Sequence, residues 1–158
     1  MSARACAVGL DVGGTYLKGA RVASDGTIEA RFHQPVAKAS AEELFRQLAQ
    51  AVASLVSSAE PVRAVGVGLP GIVDEEGRVR RAPNVSVLNG ARVGEELARR
   101  CGHRAFAEND ANAAGLAEAW IGAGQGTRHL LFVTLGTGVG GALIREGRRF
   151  TGRSGYGG

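Results

Sequence analysis

Residues 8–15 read Val8-Gly9-Leu10-Asp11-Val12-Gly13-Gly14-Thr15, a buried strand that runs into a glycine turn. The same layout returns at residues 133–141 as Val133-Thr134-Leu135-Gly136-Thr137-Gly138-Val139-Gly140-Gly141. A glycine turn between strands points several backbone N–H groups in one direction, which suits phosphate oxygens. The alternative is a pair of tight hairpins with structural glycines. Because two such hairpins lie in matched positions, we favour phosphate binding and expect a second lobe to begin near residue 125.

The segment between the two glycine turns alternates strands and helices. Three strands open the chain, and Ser40 with Glu43 forms a capping box at the start of the first helix. The order β-β-β-α-β-α-β-α predicts an α/β fold with a mixed five-stranded sheet covered by helices. The predicted strands span residues 5–12, 16–24, 27–34, 62–68 and 104–107, and the later helices span 91–101 and a segment that starts at Asp110. Residues 69–89 are expected to form a loop. The last helix is expected to bury Ala113, Leu116, Ala117, Trp120 and Ile121.

Length and composition exclude several classes of protein. The chain has 158 residues, 44% hydrophobic and 22% charged, so it is globular rather than disordered. No apolar run approaches the roughly 20 residues that span a bilayer. Cys6 and Cys101 form neither a disulfide framework nor a zinc-binding spacing. We therefore expect a cytoplasmic protein with reduced thiols and no membrane contact.

The positive charge is concentrated at the end of the sequence. Residues 128–158 contain five arginines and one glutamate, which accounts for the whole net charge of +4. A basic end can bind nucleic acid, or it can be a solvated face. These arginines do not alternate with aromatic residues that could stack on bases. We therefore favour a solvated face over a nucleic-acid partner.

Two phosphate-binding motifs are excluded by their context. Residues 136–141 fit the dinucleotide-binding string G-x-G-x-x-G, but that motif must open a helix and here it opens a strand. Residues 9–14 resemble half of a Walker A motif, yet Thr15 and Tyr16 stand where Lys and Ser or Thr are required. The histidines His33, His103 and His129 lack the spacing of metal ligands, so no metal-ligating residue is predicted.

Candidate catalytic residues lie between the last short strand and the last helix of the first lobe. Asp110 follows this strand, at the position where α/β folds bind ligands, and it could act as a general base. Asn109 could bind neighbouring hydroxyl groups. An Asn-Asp pair is equally typical of a helix N-cap, so both interpretations remain open. Gly71 and Asn84 could line a small polar pocket, or they could simply form turns.

Five segments together resemble the ROK family of repressors and sugar kinases. They are residues 9–15, residues 66–74 (Gly66-Val67-Gly68-Leu69-Pro70-Gly71-Ile72-Val73-Asp74), residues 82–84 (Ala82-Pro83-Asn84), residues 108–113 (Glu108-Asn109-Asp110-Ala111-Asn112-Ala113) and residues 134–141. The resemblance implies an actin-like (ribonuclease H-like) ATPase fold of two lobes. It places the first lobe at residues 1–124 and the start of a truncated second lobe at residues 125–158.

The resemblance also implies an activity, the ATP-dependent phosphorylation of a hexose or N-acetylhexosamine hydroxyl. It implies that Asp110 is the catalytic base and that Asn109, Asn84 and Gly71 line the sugar pocket together with Asp110. ATP with Mg²⁺ is expected as the cofactor, and Asp11 could hold Mg²⁺ through water. The residues expected to bind ATP are Asp11, Gly13, Gly14, Thr15, Lys18, Gly136, Thr137 and Gly138.

Members of this family continue beyond the point that corresponds to Gly158, with a sugar-binding Glu and Gly-His pair and a cysteine-rich zinc site. We therefore expect an N-terminal part with little turnover of its own, which forms a homodimer when full length and whose structural zinc lies outside this sequence. The family also contains transcriptional regulators, so a non-catalytic sugar sensor is the alternative. Because the first strand begins within about five residues and Asp11 and Asp110 are intact, the kinase hypothesis is favoured.

Overall fold

The computed structural model of the chain describes residues 5–56, 61–136 and 138–153. It contains ten strands, three α-helices and one 3₁₀-helix within these residues. In chain order they are β1 (Cys6–Val12), β2 (Tyr16–Ala23), β3 (Ile28–Pro35), α1 (Ala41–Leu55), β4 (Val62–Leu69), β5 (Ile72–Val73), β6 (Val79–Arg81), the 3₁₀-helix (Pro83–Leu88), α2 (Val93–Cys101), β7 (Ala105–Asn109), α3 (Asp110–Ile121), β8 (His129–Leu135), β9 (Val139–Arg145) and β10 (Arg148–Arg149).

A mixed five-stranded sheet in the order β3-β2-β1-β4-β7 forms the centre of the fold, as the sequence predicts. The first three strands are antiparallel neighbours, whereas β4 runs parallel to β1 and β7 runs parallel to β4. The carboxyl ends of β1, β4 and β7 therefore meet at one edge of the sheet. This edge is where ligands bind in open α/β sheets.

The hydrophobic core lies between one face of this sheet and the helices α1 and α2. Alternate residues of β1 point inward, so Val8, Leu10 and Val12 are buried while Asp11 faces the opposite side. The α1 helix contributes a buried stripe that includes Leu44 and Leu48. Its predicted cap is present, because Ser40 Oγ accepts a hydrogen bond of 3.1 Å from the backbone N–H of Glu43.

The predicted inner face of α3 is wrong. This helix buries Ala111, Asn112 and Gly115, whereas the side chains of Trp120 and Ile121 are 49% and 45% exposed. The reason is that α3 packs closely against β9, a strand of the second, three-stranded sheet of β8, β9 and β10. A Cβ atom placed on Gly115 would lie 2.6 Å from the Cβ of Ala142, so only the smallest side chain fits at this contact. The large residues of the helix consequently lie outside it.

Two segments that were expected to be loops contain regular structure. Residues 69–89 include the two-stranded hairpin of β5 and β6 and the 3₁₀-helix Pro83–Leu88. The second glycine turn is shorter than expected, because Gly140 and Gly141 already belong to β9.

The strands β8, β9 and β10 form a separate three-stranded sheet. One row of its apolar side chains is exposed, with Leu131 at 71%, Leu135 at 80% and Val139 at 79%. In the part of the chain that the structure describes, no helix combines the length and apolar character needed to cross a membrane.

Candidate active site

A row of four residues crosses the central sheet close to the carboxyl ends of its parallel strands. Asp11 pairs with Lys18 of β2 on one side and with Gly68 of β4 on the other, and Gly68 pairs with Glu108 of β7. All four residues line one cleft of about 670 Å³, to which Asp110 also contributes. The sequence-predicted residues Asp11, Lys18 and Asp110 therefore lie together.

The charge of this cleft suits a bound cation. Burial raises the pKa of Asp11 above its usual value, the positive charge of Lys18 opposes this shift, and the negative charge of Asp110 adds to it. The Asp11 side chain reaches the surface of the cleft, but its carboxyl group is partly shielded from water by the walls. Two carboxylates that repel one another across a cleft are relieved when a positive ion enters, so these residues fit Mg²⁺ bound with a nucleotide.

Each glycine turn uses one of its backbone N–H groups within the turn itself. The backbone N–H of Gly13 donates to the carbonyl oxygen of Tyr16 at 2.9 Å. In the second turn, the N–H of Gly136 likewise donates to the carbonyl oxygen of Gly138 at 2.9 Å. Phosphate binding by the glycine turns stays a prediction. Thr137 lies outside the described residues.

The first glycine turn lies directly beside the predicted sugar pocket. A Cβ atom on Gly14 would be 3.7 Å from the Cβ of Asn84, which belongs to the 3₁₀-helix. The neighbouring residue Thr15 is exposed, and its carbonyl oxygen accepts a hydrogen bond of 2.9 Å from the N–H of Val36. The ammonium group of Lys38 donates to the carbonyl oxygen of Gly14. Lys38 adds a positive charge to this turn that sequence reasoning missed, because no pattern links two residues 24 positions apart.

Asn109, not Asp110, caps the helix α3. Its side-chain Oδ1 accepts a hydrogen bond of 2.9 Å from the backbone N–H of Asn112. Its Nδ2 donates to the carbonyl oxygen of Gly71 at 2.9 Å and to Oδ1 of Asp110 at 3.1 Å. Oδ1 of Asp110 also accepts from the N–H of Ala111 at 2.8 Å, whereas its Oδ2 makes no hydrogen bond within the described residues. The capping interpretation thus applies to Asn109, and Oδ2 of Asp110 is the carboxylate oxygen left available for a ligand.

Gly71 holds its carbonyl oxygen toward Asn109 in a backbone conformation that requires glycine. Its φ angle is +130°, and a Cβ atom there would overlap the carbonyl oxygen of Arg81. Gly71, Asn84, Asn109 and Asp110 all line a second cleft of about 500 Å³. The turn residues Gly136 and Gly138 also line this cleft.

The two clefts share Asp110, Ala111 and Thr134. One cleft contains the charged residues Asp11 and Lys18, and the other contains the amide side chains of Asn84 and Asn109. Among the described residues, Asp110 is the one ionisable residue that lines both. The arrangement therefore places a carboxylate between a site suited to phosphate and a cation and a site suited to a polyhydroxylated ligand.

Two further polar residues of the site, Asn112 and Glu108, were not predicted as site residues. Asn112 lines the second cleft and is 7% exposed. Its Oδ1 is buried and lacks a hydrogen-bond partner among the described residues, so a ligand hydroxyl group could reach it only after a small side-chain movement. Its Nδ2 donates to Oε1 of Glu108 at 3.2 Å. Both residues belong to the polar run 108–112, so their position beside Asp110 was the available signal.

Comparison with known proteins assigns the fold. The family model described as "ROK family" matches residues 7–158. The chain belongs to the ROK family. A crystal structure of a ROK family glucokinase from Streptomyces griseus, in complex with glucose and AMPPNP, is similar to the chain with a TM-score of 0.85 and 35% sequence identity. That match covers 95% of this chain and 47% of the S. griseus chain. The expected actin-like ATPase fold of ROK proteins is thereby confirmed.

Curated ROK relatives are sugar kinases. Glucokinase of Thermotoga maritima is 40% identical over 152 residues, which cover 95% of this chain and 48% of the relative. N-acetyl-D-glucosamine kinase of Mannheimia succiniciproducens is 34% identical over 154 residues, which cover 95% of this chain and 49% of the relative. The chain spans about half the length of the curated relatives it matches.

Proposed function

We propose that this chain supplies the catalytic base and part of both substrate sites of an ATP-dependent kinase for a hexose or N-acetylhexosamine. The position of Asp110 carries the proposal, because this residue lines both the charged cleft and the amide-lined cleft. The similarity to glucokinases and N-acetylglucosamine kinases supports the same substrate class.

In the proposed reaction, Asp110 accepts the proton of the sugar hydroxyl through Oδ2. Its Oδ1 is already fixed by the N–H of Ala111 and by Nδ2 of Asn109, so the free oxygen has a defined direction. A positioned general base of this kind contributes about 10²- to 10⁴-fold to a rate. The sugar oxygen would bond to the γ-phosphorus of ATP while the bond between that phosphorus and the bridging oxygen to the β-phosphate breaks, so ADP leaves and the proton stays on Asp110. Positioning and charge stabilisation are the main contributions to such a transfer.

The sugar would lie in the cleft lined by Gly71, Asn84, Asn109 and Asn112. The amide side chain of Asn84 and the unpartnered Oδ1 of Asn112 would meet its hydroxyl groups. The carbonyl oxygen of Gly71 would act indirectly, because it accepts from Asn109 and so fixes the amide beside the base.

The phosphate groups would lie where the charged cleft, with Asp11 and Lys18, meets the amide-lined cleft, because Gly136 and Gly138 of the second turn line the amide-lined cleft and Thr134 lines both. ATP supplies the γ-phosphoryl group, and Mg²⁺ neutralises its developing negative charge. Asp11 would hold the water shell of the ion, and Lys18 would contact a phosphate oxygen. From the first turn, Gly14 and Thr15 would approach the phosphates, with Gly13 shaping the turn. Gly136, Thr137 and Gly138 would approach them from the second turn.

Several further properties belong to the same proposal. We place the boundary between the two lobes at residues 124 and 125, supported by the separate sheet that β8 begins. We also propose that the complete kinase acts in the cytoplasm as a homodimer, that its structural zinc lies outside this sequence, and that residues 1–158 by themselves have little turnover. The share of the relatives that the chain spans, about half, supports the last two statements.

Binding measurements on the complete protein that carries this chain test the proposal. Calorimetric or NMR titration with glucose, N-acetylglucosamine and MgATP should show saturable binding of a sugar and of the nucleotide. The variant Asn84→Ala should weaken sugar binding, whereas Ser86→Ala, on an exposed position of the same 3₁₀-helix, should not. Failure of both sugars to bind would contradict the substrate assignment. Sugar binding without ADP release by the complete protein would favour the sensor alternative.

A further inference from the structure

We propose that Glu108 and Arg149 form a positioning pair that links the second sheet to the Asn109–Asp110 turn and fixes the turn for substrate binding. The functional part of this inference rests on the proposed function. The pair is a contact between β7, the last strand of the central sheet, and β10 of the second sheet. Nε of Arg149 lies 2.9 Å from Oε2 of Glu108.

The Glu108 carboxylate is the centre of a small hydrogen-bond network. Its Oε1 accepts from the backbone N–H of Asn109 at 2.8 Å and from Nδ2 of Asn112 at 3.2 Å. Its Oε2 is left for Arg149. The carboxylate therefore holds the two amide residues that lie on either side of Asp110, and Arg149 holds the carboxylate.

The pair is shielded from water enough for its geometry to matter. The side chains of Arg149 and Glu108 are 15% and 25% exposed. Most surface ion pairs contribute little because water and salt screen them, but a partly buried pair that also shares neutral hydrogen bonds is more strongly directional. Loss of Arg149 would leave Glu108 without its cationic partner in a cleft that already contains Asp11 and Asp110. Glu108 would then turn toward solvent and release Asn109 and Asn112.

This network connects the second sheet to the Asn109–Asp110 turn. The strand β10 has only two residues, and Arg149 pairs with Ile144 of β9. From that position its side chain reaches the start of α3. A displacement of the second sheet would therefore be transmitted to Asn109 and Asp110 through this charged contact, in addition to the packing of α3 against β9. Asp110 is the catalytic residue of the proposal, and Glu108 and Arg149 act on it through their neighbours.

Hydrogen exchange of the 158-residue chain without ligand tests the pair independently of any sugar. In Arg149→Met, the backbone N–H of Asn109 should exchange about ten-fold faster or more, because a hydrogen bond to a charged group is lost. The side-chain amide signals of Asn112 should shift, while the amides of β1 keep their protection. Arg148→Met is the matched control, because the neighbouring Arg148 is exposed. Exchange at Asn109 in Arg149→Met that equals the unsubstituted chain would overturn the inference.

The conservative variants separate charge from bulk. Arg149→Lys should retain most of the protection at Asn109, and Arg149→Gln should lose it. These two variants also carry the test if Arg149→Met does not fold. Equal behaviour of the Lys and Gln variants would overturn the proposed role of the charge.

A sugar titration then tests the functional consequence. Arg149→Met and Arg149→Gln should weaken glucose or N-acetylglucosamine binding by about five-fold or more, and Arg149→Lys should restore it. Affinity that is unchanged in all variants would overturn the positioning role even if exchange at Asn109 increases. This titration uses the complete protein that carries this chain. If the unsubstituted complete protein binds neither sugar, the proposed function fails, while the exchange measurement still decides whether the pair fixes the turn.

Discussion

Asn109 performs two separable tasks, and substitutions can distinguish them. Its Oδ1 caps α3, and its Nδ2 donates to the carbonyl oxygen of Gly71 and to Asp110. Asn109→Ala removes both tasks, whereas Asn109→Ser keeps a side-chain oxygen of the kind that caps helices well. The two variants therefore differ in helix stability but share the loss of the amide that orients Asp110.

The expected magnitudes follow from these contacts. Loss of the cap costs about 1 kcal/mol, and loss of the donor to Gly71 costs about another 1 kcal/mol. The free energy of unfolding should thus fall by about 2 kcal/mol in Asn109→Ala and by about 1 kcal/mol in Asn109→Ser. Urea denaturation followed by circular dichroism measures both values.

Sugar binding should respond differently from stability. Both variants lose the Nδ2 group, so both should weaken glucose or N-acetylglucosamine binding to a similar extent in a calorimetric titration. Equal stability of the Ala and Ser variants would refute the capping role. Sugar affinity in Asn109→Ser that matches the unsubstituted chain would refute the role of the amide in the site.

Three other substitutions test the remaining parts of the site. Asp11→Asn should abolish MgATP binding in a titration. At pH values above the raised pKa of Asp11 it should also raise the melting temperature, because ionisation of Asp11 then disfavours the folded state, and a lower melting temperature there would contradict this. Gly71→Ala should lower the free energy of unfolding by at least about 1–3 kcal/mol in a denaturation experiment. The φ angle of +130° strains any residue with a Cβ atom, and the new Cβ would overlap the backbone of Arg81. Unchanged stability would contradict this reasoning. Gly115→Ala should also destabilise the chain by about 1–3 kcal/mol, because the added methyl group would collide with Ala142. This cost exceeds the gain from the better helix propensity of Ala, so stabilisation by the substitution would refute the close packing.

The sequence was informative where structure depends on local chemistry. Neighbouring residues determine three predicted features, and the structure confirms them. They are the helix cap at Ser40, the glycine turn after β1 and the alternation of strands and helices. The proximity of Asp11 and Asp110 in the structure was also predictable, because the carboxyl ends of parallel strands meet at one edge of a sheet. Their chemical roles, and those of Asn84 and Gly71, stay predictions.

The sequence was uninformative where structure depends on contacts between distant segments. The hydrophobicity of Trp120 predicts burial, but α3 packs through Gly115 against a strand that follows it in the chain. The pairs Lys38 with Gly14 and Arg149 with Glu108 join segments that no local pattern connects. The commitment of the Gly13 N–H to its own turn depends on a backbone geometry that a string of glycines does not specify.

The central claim is that Asp110 removes a proton from a sugar hydroxyl during phosphoryl transfer from ATP. The most direct test is a coupled assay of sugar-dependent ADP release by the complete protein that carries this chain, with Asp110→Asn as the variant. Asparagine keeps the Oδ1 contacts of Asp110 and changes only the oxygen left available for a ligand, so binding of MgATP and sugar should persist. We predict that kcat falls by about 10²- to 10⁴-fold. Unchanged kcat in a variant that binds both substrates would contradict the account.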